Sequence, residues 1–243
     1  YNKNKKIGRI YPEKSLSLCN IRRDIRHHLC NGLYLDIDMV NAHFKIADEL
    51  FNKDVLQFPV LHDYIVNRSM YLDTLGKHFH VEQFHDGLDY NKPDDYDALK
   101  TCFIRVLYFG DFDTWVREMG LPPLDPPKFL VDLKNEFDKM ADLIIEANPR
   151  FEEQILFEKK DNVKGTIISW FLQEHERRLL ETMFDFLHRS KQIKNKDCVL
   201  CFDGIMILLN EKTKDSDVVN KLLRDCEAYI LKHTGFRIDL KAK

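Results

Sequence analysis

Three short apolar stretches with a two-residue period predict the strands of a small sheet. Residues 33–38 are apolar apart from two acids at alternate positions, so a strand here places both acids on one face. Residues 198–209 hold two apolar runs around Asp203–Gly204, a dipeptide that is typical of a tight hairpin turn. A last strand is expected over residues 236–240. These stretches together predict an antiparallel sheet.

Apolar residues at helical spacing predict helices over most of the remaining chain. The predicted helices are Ala42–Phe51 (capped by Asn41), Val55–Phe79, Tyr96–Phe109, a short helix from Asp113, Lys128–Ala147, Thr166–Arg189 and Asp217–Lys232. Because a small antiparallel sheet is combined with many helices, the predicted fold class is α+β.

The composition is that of a folded domain with a sizeable core. The 243 residues are 44% hydrophobic and 12% aromatic, which excludes a disordered or low-complexity chain. No apolar run approaches the roughly 18 residues that a membrane-spanning helix needs, and residues 1–9 lack the apolar core of a signal peptide. We therefore expect a single domain over residues 1–243 that is not secreted and has no membrane partner. Because the chain begins with Tyr1, we expect it to be a segment of a longer polypeptide.

The net charge of −3 hides a basic segment near the start of the chain. Residues 3–28 contain eight lysines and arginines but only two acids. Basic segments attract phosphate backbones, so Arg22, Arg23 and Arg26 are candidate nucleic-acid contacts. The alternative is that these arginines are solvated surface charges, or that they pair with acids such as Asp24.

Two acids that are far apart in sequence are candidates for a metal site. Asp36 lies on the first predicted strand and Asp203 lies at the predicted hairpin turn. Carboxylate oxygens suit Mg²⁺, and two such ions about 3.5–4 Å apart can activate a 3′-hydroxyl and stabilise a leaving pyrophosphate. Phosphoryl transfer also needs cations on the triphosphate. Lys100 and Arg105, on one predicted helix, are candidates for that role.

Three motifs follow one another along the chain. The first is Tyr34-Leu-Asp-Ile-Asp-Met-Val-Asn-Ala-His43, which includes Asp36. The second is a helix in which Tyr108 follows Lys100 by eight residues, and the third is Phe202-Asp-Gly204 at the hairpin. In this order they resemble the motifs of the family A polymerases, the group of bacterial DNA polymerase I and the single-subunit phage-type RNA polymerases. The resemblance covers about residues 30–240.

The resemblance implies a polymerase palm formed by about residues 1–54 and 150–243, with helical fingers at about 55–149. It implies a template-directed nucleotidyltransferase that binds a DNA template and primer and nucleoside triphosphates. Two Mg²⁺ ions are the implied cofactors, and Mn²⁺ is expected to substitute for them.

The resemblance also implies roles for single residues. Asp36 and Asp203 match the family's metal-binding aspartates, and Lys100 and Tyr108 match its nucleotide-binding lysine and tyrosine. Gln173 lies on the long helix between the second and third motifs. It resembles a glutamine that lies near the minor groove of the primer–template duplex.

The chain departs from the family's pattern at several positions. The family usually has an arginine one turn before the lysine, where this chain has Tyr96, and we expect Arg68 to replace it. DNA-making members have a glutamate five residues after the first aspartate, where this chain has Asn41; this leaves the choice of sugar open at the nucleotide site. The third motif has Phe202 in place of histidine and Gly204 in place of a second acid.

The segment before the first motif resembles one subgroup of the family. Gly8-Arg9 and Arg22-Arg-Asp-Ile-Arg26 resemble a divergent subgroup of large DNA viruses and mobile elements. In that subgroup such domains stand beside helicases, so the resemblance implies a primase-polymerase with a helicase domain or subunit as partner. The implied location is a replication site in the cytoplasm or nucleus of a host cell.

Two other functions stay open. An archaeal-eukaryotic-type primase uses an Asp-x-Asp pair and a third aspartate, which Asp36, Asp38 and Asp203 would supply. In that case Asp38 is a third metal ligand; otherwise it is an outward acid. A palm without catalytic activity would instead act as a nucleic-acid-binding scaffold in a larger replication protein.

Overall fold

The computed structural model describes residues 8–9, 12, 17–81, 85–158, 160–194, 197–210, 213 and 215–243. Within these residues the fold is α+β, as the sequence predicts. The strands are β1 (Tyr34–Met39), β2 (His80–Val81), β3 (His85–Asp86), β4 (Cys198–Cys201), β5 (Gly204–Leu208) and β6 (Leu240–Ala242). The helices are α1 (Arg23–Cys30), α2 (Ala42–Phe51), α3 (Pro59–Val66), α4 (Arg68–His78), α5 (Pro93–Leu107), α6 (Phe112–Glu118), α7 (Lys128–Ala147), α8 (Arg150–Glu158), α9 (Val163–Arg189) and α10 (Ser216–Thr234), with a 3₁₀ turn at Leu18–Asn20.

Four strands form an antiparallel sheet in the order β4-β5-β1-β6. The predicted first strand, hairpin and terminal strand all take part in it. β1 therefore lies inside the sheet, hydrogen-bonded to β5 on one side and to β6 on the other. β2 and β3 form a separate two-stranded ladder.

One face of the sheet is apolar and buried. This face contains every second residue of β1: Leu35, Ile37 and Met39. In the neighbouring strand β5, Ile207 lies opposite Leu35 and Ile205 lies opposite Ile37. Met39 lies opposite Leu240 of β6. α10 packs against β6. Because side chains alternate across a strand, the polar residues of β1 lie on the opposite face.

The chain divides into two compact units. The first, here called the sheet unit, comprises residues 1–50 and 172–243 and contains the four-stranded sheet; the second, the helical unit, comprises residues 51–171. α9 contributes residues to both. The first boundary lies close to the predicted end of the palm segment at residue 54, whereas the second falls after residue 171 and not after residue 149.

Stacked aromatic rings fill the core of the helical unit. The rings of Tyr64 and Phe103 stack with their centroids 4.5 Å apart, and Phe129 stacks on Phe103 at 6.2 Å. Trp115 meets Phe79 edge to face at 5.7 Å. Aromatic pairs of this geometry add to the stabilisation that burial of their area provides.

Residues 55–79 are mostly helical, as predicted, but they do not form one continuous helix. The segment forms α3 and α4, which are separated at Asn67. Asn67 has φ of −112° and ψ of 32°, outside the helical range, and therefore separates the two helices. Asn52 delays the start of α3, because its Oδ1 accepts hydrogen bonds from the backbone of Gln57 and Phe58.

The terminal strand lies later than predicted. Phe236 and Ile238 are buried at alternate positions, as in a strand, but β6 begins only at Leu240, opposite Met39. The neighbouring β1 sets this limit, since it ends at Met39. The helices α1 and α8 and the β2–β3 ladder were not predicted, because each is too short to show a clear period.

None of the helices in the described ranges combines the length and the apolar character that are needed to cross a membrane.

Candidate active site

β1 carries two acids on the other face of the sheet, where Met206 of β5 packs against buried cysteines. Asp36 pairs with Met206 of β5, and Asp38 lies between Gly204 of β5 and Lys241 of β6. Both acids lie on one face, as the two-residue period predicts. Because β1 is hydrogen-bonded to a neighbouring strand on both sides, the backbone positions of Asp36 and Asp38 are fixed.

The predicted hairpin is present, but its turn lies one residue earlier than predicted. Cys201 pairs with Gly204, so the two turn residues are Phe202 and Asp203. Phe202 adopts the left-handed conformation with φ of 58°, whereas Gly204 does not have a positive φ. The prediction that Asp203–Gly204 forms the turn is therefore wrong, although Asp203 still lies at the tip.

Gly204 is required by a close approach between strands. A Cβ atom at this position would overlap Asp38 Oδ1 and lie 2.8 Å from the carbonyl oxygen of Ile37. The tip is also tied to the end of β1, because the Met39 N–H donates to the Asp203 carbonyl at 2.9 Å. The glycine thus lets the hairpin bring Asp203 close to the acids of β1.

Asp36 is a buried acid whose surroundings do not satisfy it. It is 8% exposed, and its Oδ1 has no hydrogen-bond partner among the described residues. Burial raises the pKa of Asp36, and the Asp38 carboxylate raises it further, whereas Lys243, His27 and Arg26 lower it. His27 Nε2 lies 3.6 Å from Asp36 Oδ2. Since the net change is upward, the positive groups nearby do not fully offset the cost of the buried charge.

Asp203 and Asp38 belong to the same acidic cluster. Burial raises the pKa of Asp203, and the charges of Asp38 and Glu176 raise it further, while Arg9 lowers it. Asp38 therefore interacts electrostatically with both of the other aspartates. Its Oδ2 also forms an ion pair with the Lys243 ammonium group.

A second buried acid lies beside this cluster, and sequence reasoning missed it. Glu176 of α9 is 1% exposed and forms a two-pronged ion pair with Arg9, with Nε–Oε2 and Nη2–Oε1 distances of 2.6 and 3.0 Å. His43 Nε2 lies 2.9 Å from Glu176 Oε1. The Arg9 guanidinium lies 4.7 Å from the centre of the Phe202 ring. Arg9 and Glu176 thus support the hairpin tip that carries Asp203.

Two features of the sequence lie close to Arg9 and Glu176, but neither predicts their ion pair. Gly8-Arg9 is part of the resemblance to the divergent viral subgroup, and Glu176 lies one helical turn after Gln173, on the same side of α9. Glu176 is, however, one charge in a strongly charged stretch, Gln-Glu-His-Glu-Arg-Arg. Nothing in that stretch marks one glutamate as buried.

The acidic cluster fits a hard divalent cation. In the part of the chain that the structure describes, no group of three or more His, Cys, Asp or Glu side chains is placed so that it could hold a metal ion. Mg²⁺ does not need such a group, because it usually binds one or two carboxylates and completes its shell with waters and substrate phosphates. The unpartnered Oδ1 of Asp36 and the raised pKa values of Asp36 and Asp203 fit such an ion.

α1 brings part of the basic segment to the acids. Arg26 lowers the pKa of Asp36 and of Cys30, so its charge lies close to both. Arg22 is different, because it is exposed and pairs with Asp24 at 3.0 Å. Of the three candidate arginines, Arg26 therefore lies at the acidic cluster and Arg22 on the surface. The side chain of Arg23 and residues 1–7, 10–11 and 13–16 lie outside the described part.

The helical unit carries the predicted nucleotide-binding residues on α4 and α5. Lys100 lies one turn after Tyr96 on α5, and the guanidinium of Arg68, from α4, lies 5.7 Å from the centre of the Tyr96 ring. Arg68 Nε also donates to the Tyr64 hydroxyl at 3.4 Å. The structure therefore places Arg68 beside the position where the family usually has an arginine.

Arg105 and Tyr108 have structural contacts in the same unit. Arg105 forms an ion pair with Glu118 of α6. Tyr108 ends α5, and its carbonyl accepts a hydrogen bond from Asn162 Nδ2 at 2.7 Å. A Cβ atom on Gly165 would overlap the same carbonyl oxygen. These contacts fix the end of α5, and the nucleotide-binding roles of Arg105 and Tyr108 stay predictions.

Two residues on the sheet unit complete the predicted set. Asn41 has φ of 52°, a left-handed conformation that asparagine tolerates better than glutamate does. Its carbonyl accepts from Lys45 N–H at 3.0 Å, so it starts α2 as predicted. The turn therefore gives a backbone reason for asparagine at this position. Gln173 is half-buried on α9, one turn before Glu176.

Comparison with known proteins gives one distant relative among the matches. No family model matches the chain. The chain is similar to a protein named "Putative helicase V13" from Sputnik virophage, with 28% identity over 246 aligned residues. The match covers 97% of this chain but 28% of the virophage protein. The chain thus spans less than a third of the length of this curated relative.

Proposed function

We propose that this chain is the nucleotidyltransferase part of a longer viral replication protein, with its palm in the sheet unit. The observation that carries the proposal is the acidic cluster. Asp36 and Asp203 come from distant parts of the sequence, both interact with Asp38, and burial raises the pKa of both. Buried like charges of this kind are costly to a fold and are common at functional sites.

The reaction is a phosphoryl transfer to a growing strand. The 3′-hydroxyl oxygen forms a bond to the α-phosphorus of a nucleoside triphosphate, the bond to pyrophosphate breaks, and the hydroxyl proton passes to water. Two Mg²⁺ ions, when bound, stabilise the charge on the attacking and leaving oxygens. Asp36 and Asp203 would hold these ions, while Arg9 and Glu176 keep the hairpin tip in position.

We also propose nucleotide-binding roles for three residues of the helical unit. Lys100 binds the triphosphate, and Arg68 provides the second cation that the family usually places one turn before the lysine. The contact between Arg68 and Tyr96 supports this exchange of positions. Tyr108 stacks on the nucleotide.

The similarity to a virophage protein supports a role in viral DNA replication. The matched protein is named a helicase, and the match covers less than a third of it. This segment contains no G-x-x-x-x-G-K-[S/T] sequence, the phosphate loop of many nucleotide-hydrolysing enzymes. We therefore propose that the segment provides strand synthesis beside a helicase, and not the helicase activity itself.

An archaeal-eukaryotic-type primase is the second candidate, and one observation favours it. Asp38 interacts with both Asp36 and Asp203, as a third metal ligand of an Asp-x-Asp site would. Asp38→Ala separates the two functions. A primase-type site loses all activity in this variant, whereas a family A-type site keeps a measurable fraction.

Extension assays with dNTPs or NTPs, with and without a primer, in Mg²⁺ or Mn²⁺ test the proposal. We expect Asp36→Asn and Asp203→Asn each to lower incorporation by about a thousandfold or more, since each removes a metal ligand. Asp225→Asn is the matched control, because Asp225 is an exposed acid of the same unit that pairs only locally with Lys221. Melting curves confirm that the variants fold.

Two outcomes would contradict the proposal. Near wild-type incorporation by Asp36→Asn or Asp203→Asn would exclude that residue as a metal ligand. No incorporation by the wild type under any of these conditions would favour the scaffold function, in which the ion pair between Lys243 and Asp38 takes the place of a metal ion.

A further inference from the structure

A cavity of about 410 Å³ lies on the face of the sheet that carries Asp36. His27, His28 and Asn31 line it from α1 and the turn that follows, and Lys243 lines it from the end of β6. The size falls within the range of about 300–1,000 Å³ that is usual for small-molecule sites. The cavity is therefore large enough for part of a nucleotide.

Buried polar atoms at or near this cavity lack hydrogen-bond partners among the described residues. Asp36 Oδ1 and His27 Nε2 lie on its wall, and Arg26 Nε is close to Asp36. His27 Nε2 makes no hydrogen bond but lies 3.6 Å from Asp36 Oδ2. Buried polar groups in folded proteins are nearly always hydrogen-bonded, and leaving one unpaired is costly. One acceptor and two nitrogen groups left in this state indicate a ligand that is itself polar.

The wall of the cavity carries more donors than acceptors. The imidazoles of His27 and His28 and the Asn31 amide can donate to an anion, and so can the Lys243 ammonium group through the protons that its pair with Asp38 leaves over. Cys30, Tyr34 and Met206 complete the wall. Asp36 is the single carboxylate on the wall. A ligand with phosphate oxygens for these donors, and with a hydroxyl or a metal-bound oxygen directed to Asp36, satisfies both sets of groups.

We infer that the cavity binds the 5′-phosphate groups of the nucleotide whose 3′-hydroxyl is extended at Asp36. This inference rests on the proposed function and extends it to the strand-starting nucleotide. Two sources share this chemistry: a free nucleoside triphosphate that starts a new strand, and the last phosphodiester of a primer. A phosphodiester carries one negative charge and needs fewer hydrogen-bond donors than the four side chains on the wall offer. A triphosphate, with more charged oxygens, can use all four. The chain therefore has a built-in site for starting strands without a primer.

Binding measurements test the cavity without relying on turnover. The probes are inorganic tripolyphosphate and ATP, titrated by calorimetry with Ca²⁺ in place of Mg²⁺ so that no chemistry occurs. Lys100→Ala is the background, because it removes the proposed site for the incoming nucleotide. His28→Ala tests the cavity, since His28 is exposed and its loss leaves the core intact. His233→Ala, an exposed histidine on α10 of the same unit, is the matched control.

We expect His28→Ala to weaken tripolyphosphate and ATP binding about tenfold, the usual effect of losing one hydrogen bond to a charged group. His233→Ala should leave both affinities unchanged. A primed duplex, measured by fluorescence anisotropy, distinguishes the sources. If only duplex binding weakens in His28→Ala, the cavity holds the primer phosphodiester and the strand-starting function is overturned.

If His28→Ala changes none of these affinities, the cavity is not a phosphate site and the inference fails. The proposed function can fail separately. If the extension assays are negative but tripolyphosphate binding still depends on His28, the cavity stands as a nucleotide-binding site on a protein that is not a polymerase.

Discussion

The two units each bury an acid to the same extent, with opposite consequences. Glu136 of the helical unit and Asp36 of the sheet unit are both 8% exposed. Both oxygens of Glu136 accept backbone N–H groups from the first turn of α3, at 3.0 Å from Val60 and 2.8 Å from Leu61. Asp36 Oδ1 has no partner among the described residues, and its neighbours include another carboxylate.

This difference in hydrogen bonding indicates a structural role for Glu136 and a functional role for Asp36. Glu136 completes a fold, because it satisfies two N–H groups that have no partner within their helix and interacts favourably with the helix dipole. Asp36 costs the fold stability, because the positive charges of Lys243, His27 and Arg26 only partly offset its burial and its repulsion by Asp38. A buried acid of the first kind is expected in any stable domain, whereas one of the second kind indicates a bound cation or substrate.

The largest difference in the free energy of unfolding is expected between variants that remove the charge of Glu136 and of Asp36. Glu136→Gln should lower the free energy of unfolding by about 2–4 kcal/mol, because one backbone N–H loses a charged acceptor and meets an amide donor. Asp36→Asn should leave stability unchanged or raise it, since it removes a repelling buried charge. Urea melts of both variants measure the contrast. The control is Glu146→Gln, at an exposed position of the same helix α7, and equal losses in both test variants would refute the comparison.

The next effect concerns the close approach of the hairpin to β1. Gly204→Ala should destabilise the protein by about 1–3 kcal/mol, because its Cβ would overlap Asp38 Oδ1 and force the strands apart. It should also lower incorporation sharply. Gly120→Ala in the helical unit meets no atom within 4 Å but has φ of 66°, so it should cost only about 1 kcal/mol of backbone strain. Thermal melts and extension assays measure both variants, and a smaller loss for Gly204→Ala than for Gly120→Ala would show that the strands can separate freely.

Glu176→Gln is expected to cost about 2 kcal/mol, because it leaves the partly exposed Arg9 without its partner. Burial alone would raise the pKa of Glu176, but hydrogen bonds and charges from His43 and Arg9 lower it below its ordinary value. A lowered pKa in the folded state stabilises the protein above the ordinary glutamate pKa, and this contribution is lost as the pH falls below about 4.3.

The melting temperature of the wild type should therefore fall more steeply between about pH 5 and 3 than that of Glu176→Gln. Glu181→Gln is the control, since Glu181 lies on the same helix and pairs with Arg177 on the surface. Parallel pH profiles for the wild type and Glu176→Gln would show that the buried ion pair does not set the acid stability.

The smallest effect is expected at the surface arginine of the basic segment. Arg22→Gln should leave the melting temperature unchanged, because its pair with Asp24 is exposed. If Arg22 contacts a DNA phosphate, the slope of log K against log salt should flatten by about 0.9. Arg26→Gln should instead change the melting temperature, since Arg26 lies close to Asp36. Fluorescence anisotropy at several salt concentrations, with melts alongside, separates the two residues.

Periodicity and local turn chemistry were enough for most of the fold. The alternation along residues 33–38 places both acids on one face in β1, and the long apolar stripe over residues 128–147 coincides with α7. The break at Asn67 was not predicted, because one residue with non-helical backbone angles leaves the apolar spacing nearly unchanged. Short elements such as α8 have too few residues to show a period.

The sequence by itself determined the fold class, the strand acids and the order of the three motifs, because these depend on spacing along the chain. Only the tertiary structure decided which charges are buried and which have partners. Glu136, Glu176 and Asp36 look alike in sequence, yet two are satisfied by backbone or arginine groups from distant residues and one is not. Desolvation and hydrogen bonding depend on neighbours in space, and for that reason the sequence identifies Asp36 as a candidate, whereas only the folded protein shows that it is buried without a hydrogen-bond partner for Oδ1.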